Sequence, residues 1–193
     1  MARKWTSRDI LLLLLYSPGP SGRFGEAIAG RTRLTKMLFL FNKEVYATFR
    51  FNKLFDVTSL PQFSAWKYGP FSRDMFVDLD FFLQIEFIES SLGSLTSASE
   101  DIAESAFWMQ ETDEQEYVLD VPYAEERFAL TAKGLQFCEE RLWPELSENQ
   151  KGALFEFKRR YLGLPLQVLL KYVYENYPDM TTQSEIVGRV LGR

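Results

Sequence analysis

The amino-acid sequence predicts a mainly α fold of the α+β class, in which several helices accompany one small β-hairpin. Apolar residues recur at helical spacing along most of the chain. Capping boxes mark the start of the first helix and the starts of two C-terminal helices, at Ser147-x-x-Gln150 and Thr182-x-x-Glu185. Two short runs, 117–119 and 127–130, have the composition of paired strands. With 193 residues, 46% of them hydrophobic, the chain is long enough to bury one core.

The first two helices are predicted from their caps and their apolar stripes. Thr6-x-x-Asp9 is a capping box, and the helix that it starts is followed by a loop rich in Gly, Pro and Ser at 17–30. A second helix begins near Arg31. Its apolar stripe places three cations together on the opposite flank, Arg33, Lys36 and Lys43, and this predicts a basic outer edge.

A third helix is predicted after the turn residues Gly69-Pro70, with Ser72 as its N-cap and its end near Glu89. Its apolar residues keep helical spacing. Its outward residues are one base followed by five acids, namely Arg73, Asp74, Asp78, Asp80, Glu86 and Glu89. The Ser-rich, acidic stretch at about 90–116 that follows is expected to be a loop.

The order helix, helix, helix, hairpin, helix is that of a winged-helix domain. In this interpretation the helix at 72–89 takes the place of the recognition helix, and the hairpin at 117–130 is the wing. Residues 1–146 then form a winged-helix-like domain, and residues 147–193 form a C-terminal helical extension packed on it as part of one structural unit.

Four phrases of the sequence resemble, in order, those of YwgA-like proteins and, more distantly, of the SocA-type (Panacea) antitoxin domain. They are GRTRLTKMLFLF (30–41), AWKYGPFSRDMFVDL (65–79), FALTAKG (128–134) and YVYENYPDMTTQSEI (172–186). The resemblance implies a winged-helix-like domain found near toxin, restriction or phage-defence genes in prokaryotes. It also implies a neutralising or adaptor role rather than catalysis.

The composition excludes most catalytic and metal sites. The chain has no histidine, so imidazole zinc sites and histidine-dependent nucleophiles are ruled out. The single Cys138 lies in a helical pattern, where a buried, unreactive thiol is expected. We expect no enzymatic activity, cofactor or metal. The apolar run 10–16 is too short to span a bilayer and no cleavage site follows it, so a cytoplasmic protein without a membrane partner is expected.

Charge is distributed unevenly along the chain. Residues 1–73 carry twelve Lys or Arg and four Asp or Glu, whereas residues 74–126 carry fifteen Asp or Glu and no basic residue. Such asymmetry bears on partners and solubility. We expect the third helix and the loop to bind a basic protein, such as a toxin or a nucleic-acid-handling enzyme. The acids expected to make this contact, unless they are only a solvated face, are Asp74, Asp78, Glu86 and Glu89.

The alternative function is that of a winged-helix transcriptional regulator that binds duplex DNA. At the start of the second helix, backbone N–H groups and the helix dipole favour a phosphate. The candidate contacts are Arg31, Arg33 and Lys36, with Lys67, Tyr68 and Arg73 added from the turn. Against this, the carboxylates of the third helix would be repelled by the phosphates of a major groove. The basic side chains are otherwise expected to pair with the acidic segment or to stay solvated.

Two groups of aromatic residues are open to a structural and a functional interpretation. Trp66, Tyr68 and Phe71 bracket the Gly-Pro turn and are expected to pack it onto the second and third helices, although they suit a partner's pocket or a stacked base. The tyrosines 172, 174 and 177 either pack the C-terminal helices together or form a homodimer face.

Overall fold

The computed structural model describes residues 5–92 and 126–192. The protein is mainly helical, with 60% helix, 11% strand and a small antiparallel sheet, which confirms the mainly α class. The predicted strand at 117–119 and most of the predicted acidic loop at about 90–116 lie outside the described residues.

Within these ranges most of the chain is helical. The α-helices are α1 Ser7–Tyr16, α2 Arg31–Leu40, α3 Arg73–Gln84, α4 Ala132–Phe137, α5 Glu148–Leu162, α6 Leu166–Asn176 and α7 Val187–Leu191. Single π-helical turns continue α2 at Phe41–Val45 and α4 at Cys138–Leu142. Short 3-10 turns lie at Phe51–Lys53, Val57–Ser59, Trp143–Glu145 and Pro178–Thr181.

Three predicted helix starts are confirmed. Thr6 and Ser147 each complete a capping box at the N-termini of α1 and α5. Ser72 caps α3, because its side chain accepts a hydrogen bond from the backbone N–H of Met75 at 3.4 Å. These signals are local, since both partners lie within three positions of each other.

Two other helix boundaries differ from the prediction. α3 ends at Gln84 rather than near 89, because Glu86 adopts a left-handed backbone (φ 57) that turns the chain into a strand. The last helix begins at Val187, so the cap predicted at 182–185 is wrong. The backbone N–H of Glu185 instead donates to the carbonyl of Lys67 at 2.8 Å.

The strands are β1 Ile28–Ala29, β2 Ser64–Trp66, β3 Gly69–Phe71, β4 Ile88–Leu92 and β5 Glu126–Leu130. β1, β5 and β4 form a three-stranded antiparallel sheet in that order, and β2 pairs with β3 in a separate hairpin. The strand predicted at 127–130 is therefore confirmed as β5, but its described partners are β1 and β4, which the sequence does not indicate as strands. The inner face of the sheet is buried through Ile28, Ile88, Phe128 and Leu130.

The core is centred on α1 and α2. Every side chain from Ile10 to Leu15 is buried, so α1 is enclosed on all sides. α2 is buried from Arg33 to Leu40, which includes two cations as well as the predicted stripe. Cys138 is buried, as expected. In the part of the chain that the structure describes, no helix is long and apolar enough to cross a bilayer.

The C-terminal tyrosines face the protein interior. The hydroxyls of Tyr172 and Tyr177 donate to the carboxylate of Glu44 at 2.8 and 3.1 Å. The Tyr174 hydroxyl lies 2.7 Å from the hydroxyl of Ser184, and Tyr174 is buried. These contacts favour the interpretation that the tyrosines pack the C-terminal helices onto the rest of the protein.

Candidate protein-interaction surface

Asp78 does not belong to the predicted acidic face, because its side chain points inward. Asp78 is only 7% exposed. Its carboxylate accepts hydrogen bonds from the Ser7 hydroxyl at 2.6 Å and from Arg8 Nε at 2.8 Å, which ties α3 to the first turn of α1. A carboxylate held in this way is a structural anchor, so the prediction that Asp78 binds a partner is wrong.

The remaining acids of the predicted face lie on three different elements. Asp74 is exposed in the first turn of α3, where the helix dipole favours a carboxylate. Glu86 is exposed at the corner between α3 and β4, and Glu89 is exposed on β4. Asp80 is exposed on α3 and lies 3.9 Å from Arg31. Acidic side chains are therefore present at both ends of α3 rather than along one stripe.

The predicted basic outer edge of α2 is wrong for Arg33 and Lys36, which are buried, whereas Lys43 is exposed as expected. Arg33 Nη1 donates to the carbonyls of Tyr161 and Leu164 at 3.0 and 2.6 Å, at the end of α5. Lys36 is 3% exposed, and burial lowers its pKa to about 7. Neither side chain is accessible to a phosphate. Since α2 is enclosed on two sides, cations between its apolar residues have no route to solvent.

The other basic candidates are partly engaged within the protein. Arg31 Nε donates to Glu126 at 2.8 Å. The Lys67 ammonium lies 3.6 Å from the carboxylate of Glu185. Arg73 is exposed at the first position of α3. Of the six residues proposed for DNA contact, Arg73 alone is an exposed cation, since Arg31 and Lys67 are half-buried and Arg33 and Lys36 are buried.

The β2–β3 hairpin is held from its inner side by three elements. Lys36 Nζ donates to the carbonyls of Tyr68 and Pro70 at 2.7 and 2.9 Å. Gly69 has φ +84, and a Cβ at this position would lie 3.1 Å from the Tyr174 ring on α6. The backbone N–H of Glu185 also donates to the carbonyl of Lys67, between β2 and β3. These contacts connect the sequence segments 30–41, 65–79 and 172–186 and hold the hairpin against the rest of the protein.

On its outer side the hairpin continues the exposed face of α3. Trp66 on β2 is 49% exposed, and Val77 on α3 is 56% exposed. The rings of Phe71 and Phe76 connect them, with centroids 6.3 Å apart for Trp66 and Phe71 and 5.4 Å apart for Phe71 and Phe76. We call these four residues the Trp66 surface. Its α3 side is flanked by the exposed carboxylates of Asp74 and Asp80.

The two interpretations of the turn aromatics apply to different residues. Phe71 stacks on Phe76 of α3, and the Tyr68 side chain is partly buried against the core, so both pack the hairpin as expected. Trp66 instead leaves half of its side chain exposed. In a three-residue strand the side chains alternate between faces, and Trp66 lies at an exposed position of β2 (Ser64–Trp66). The sequence pattern alone does not show which face is outward.

Residues 5–92 and 126–192 contain no group of three or more His, Cys, Asp or Glu side chains that could hold a metal ion. Comparison with protein-family models, with curated proteins and with solved structures gives no match for this chain.

Proposed function

We propose that this protein is a non-enzymatic protein-binding module, built on a winged-helix-like scaffold, that presents the Trp66 surface to a partner with basic residues. The antitoxin-like or defence-accessory role implied by the resemblance belongs to this proposal. A toxin or a nucleic-acid-handling enzyme is the kind of partner whose cations suit the exposed carboxylates.

The order of the elements supports the scaffold. The chain runs α1, β1, α2, α3, β4, β5, and β5 lies between β1 and β4 in the sheet. Strand β1, which lies between the first two helices, thus pairs with β5, and β5 pairs with β4. A winged helix is expected to have this arrangement. The departure is the insertion at 46–72, which carries the β2–β3 hairpin and separates α2 with its π-helical turn from α3.

The observation that carries the proposal is the exposure of Trp66 and Val77 on elements that are fixed from behind. Tryptophan is among the residues that contribute most to binding energy at interfaces. Exposed apolar patches bordered by polar residues are typical of interaction sites. Because Lys36 and Tyr174 already hold the hairpin, little conformational entropy remains to be lost on binding.

The charges around this surface indicate the chemistry of the partner. Asp74 and Asp80 are exposed beside Val77 on the same outward face of α3. Carboxylates at the edge of an interface accelerate association with a cationic surface and repel acidic ones. A partner with an apolar pocket bordered by Lys or Arg is complementary to this arrangement, and duplex DNA is not.

A capture experiment with two matched charge insertions tests the proposal. Val77→Lys places a cation on the Trp66 surface, and Val168→Lys places one at a similarly exposed valine on α6 (56% and 48% exposed). From an extract of the native cells, we expect wild type and Val168→Lys to retain the same protein partner and Val77→Lys to lose it. Equal capture by all three proteins, or capture of nothing but nucleic acid, would contradict the proposal.

DNA binding remains the second candidate, and the exposed Arg73 at the start of α3 is the observation that favours it. In a winged helix this end of the third helix lies close to the duplex. Anisotropy of labelled duplex DNA, titrated from low to physiological salt, tests this candidate. Regulation by DNA binding requires a steep salt dependence that weakens in Arg73→Ala and Lys67→Ala. We expect no binding.

A further inference from the structure

The outer edge of β4 (Ile88–Leu92) offers backbone groups to another strand. The N–H of Gly30 donates to the carbonyl of Glu126 at 2.8 Å, so this residue of β5 faces β1. Backbone directions alternate along a strand, and Arg127 and Ala129 therefore face β4. Their partners on β4 are Ser91 and Glu89. The residues between them, Ile88 and Ser90, consequently direct their N–H and C=O groups away from β5.

No strand pairs with this edge among the described residues, since the sheet order β1-β5-β4 ends at β4. An open edge is a template for an added strand unless charge or geometry opposes it. β4 has five residues, which is long enough for an added strand to make several hydrogen bonds.

A groove lies at the start of β4, beside the end of α3 and the start of α4. It has a volume of about 520 Å³ and is lined by Ile88, Glu89 and Ser90 of β4, by the end of α3 and by the first residues of α4. Leu83 supplies partly exposed apolar surface, whereas the Ile88 side chain is buried in the core. The carboxylates of Glu86 and Glu89 are exposed at the sides of the groove. The outward backbone groups of β4 are therefore close to partly exposed apolar surface and to two carboxylates.

One cation also lines this groove, and its charge is turned toward the protein. Lys133 Nζ donates to the carbonyl of Ile85 at 2.9 Å and lies 5.0 Å from the ring centre of Phe87. These contacts hold the ammonium against the end of α3. The other charged side chains that line the groove are Glu86 and Glu89, and both favour a cationic ligand.

We propose that the outer edge of β4 binds an extended peptide segment rich in Lys or Arg, which adds to the sheet as a further strand. The added segment forms backbone hydrogen bonds with Ile88 and Ser90. Its alternate side chains meet the apolar lining and the two carboxylates. Strand addition of this kind obtains affinity from the main chain and specificity from alternate side chains. This surface contains no residue of the Trp66 surface, so its failure leaves the proposed function intact.

The first test is amide hydrogen exchange of the full chain with and without a probe, a short peptide of alternating valine and lysine. We expect the peptide to slow exchange at the amides of Ile88 and Ser90, because these N–H groups become hydrogen-bonded. Unchanged exchange in the presence of excess peptide would overturn the proposal. Amides at 88 and 90 that are already protected in the protein alone would overturn it too, because the edge would then be occupied.

A pair of substitutions at one position isolates the backbone donor. Ser90→Pro removes the outward N–H without removing a bond between β4 and β5, whereas Ser90→Ala removes the same side chain and keeps the N–H. We expect the anisotropy of the labelled peptide to report about tenfold weaker binding for Ser90→Pro than for Ser90→Ala, as one hydrogen bond is lost. Equal affinities would contradict strand addition.

A second pair of probes tests the charge selection. Replacing the lysines of the peptide by glutamate reverses its charge and keeps its length, and we expect no binding of this acidic peptide at low salt. The double variant Glu86→Gln, Glu89→Gln should bind the basic peptide more weakly and with less dependence on salt. Similar binding of both peptides would refute the predicted preference. Should Ser90→Pro fail to fold in a urea titration, the exchange experiment on the wild type still decides.

Discussion

The carboxylate of Glu44 accepts a hydrogen bond of 2.6 Å from the hydroxyl of Tyr161, a residue 117 positions later in the chain. Glu44 lies on the π-helical turn that continues α2, and Tyr161 lies near the end of α5. Tyr172 and Tyr177 donate to the same carboxylate. One acidic side chain thus joins the second helix to three successive parts of the C-terminal region.

Removing this acceptor should destabilise the protein strongly. Glu44→Ala leaves three tyrosine hydroxyls without their partner, and we expect the free energy of unfolding to fall by about 2–4 kcal/mol. Tyr172→Phe removes one donor and should cost about 1 kcal/mol. Urea unfolding measures both. The control is Glu148→Ala, an exposed acid paired with Lys151, which should change stability by less than about 0.5 kcal/mol. Equal effects at 44 and 148 would contradict the role of Glu44.

The stability of the protein should rise with pH above neutrality. Burial lowers the pKa of Lys36 to about 7, and burial also lowers the pKa of Lys158 to about 7 while Glu26 opposes this shift. In the unfolded chain these amines titrate near 10.5. Between the two values the unfolded state holds more protons, so raising the pH favours the folded state.

Urea titrations at several pH values between about 7 and 9.5 measure this dependence. The slope attributable to each buried lysine reaches about 1.4 kcal/mol per pH unit at most. We expect Lys36→Met to reduce the slope of the unfolding free energy against pH by the contribution of one buried lysine. Lys171→Met, at an exposed lysine of α6, should leave this slope unchanged. A slope that is the same in wild type and Lys36→Met would show that Lys36 keeps an ordinary pKa.

Replacing either of two helical glycines by alanine should change the stability of the protein, in opposite directions at the two positions. A Cβ at Gly134 on α4 would clash with the carbonyl oxygen of Phe87, whereas a Cβ at Gly152 on α5 would meet nothing within 4 Å. We expect Gly134→Ala to destabilise the protein by about 2–3 kcal/mol. Gly152→Ala should stabilise it by about 0.5–1 kcal/mol, because alanine is the better helix former. Thermal unfolding distinguishes the two signs, and stabilisation by both changes would contradict the contact at Phe87.

Two aspartates on the same helix should differ in their contribution to stability. Asp78→Ala removes the acceptor of Ser7 and Arg8, and we expect a loss of about 1.5–3 kcal/mol. Asp74→Ala removes an exposed carboxylate near the helix N-terminus and should cost less than about 1 kcal/mol. Chemical denaturation of the two variants gives the comparison. A larger loss at 74 than at 78 would be inconsistent with the buried position of Asp78.

Features fixed by neighbours in the sequence could be predicted. The caps at Thr6, Ser72 and Ser147 depend on groups three positions away, and the burial of α1 follows from its continuous apolar run. Strand β5 is recognisable because Phe128, Ala129 and Leu130 form a short apolar run directly before the helix start at 131–134.

Features fixed by distant parts of the chain could not be predicted. Lys36 is buried because the carbonyls of Tyr68 and Pro70 reach its ammonium, and Asp78 is buried because α1 supplies Ser7 and Arg8. Helical periodicity assigns a charged residue to solvent unless its distant partner is known. β4 escapes prediction for a similar reason, since IESSL is a weak strand sequence stabilised by pairing with β5.

The most direct test of the protein-binding proposal is photo-crosslinking in the native cells, with a photoreactive phenylalanine placed at position 66 or at position 168. Both sites are about half exposed, so an unspecific reaction would label them similarly. We expect a light-dependent protein adduct of one defined mass from position 66 and none from position 168. Adducts to nucleic acid, or the same adducts from both positions, would show that the Trp66 surface does not recognise a protein partner.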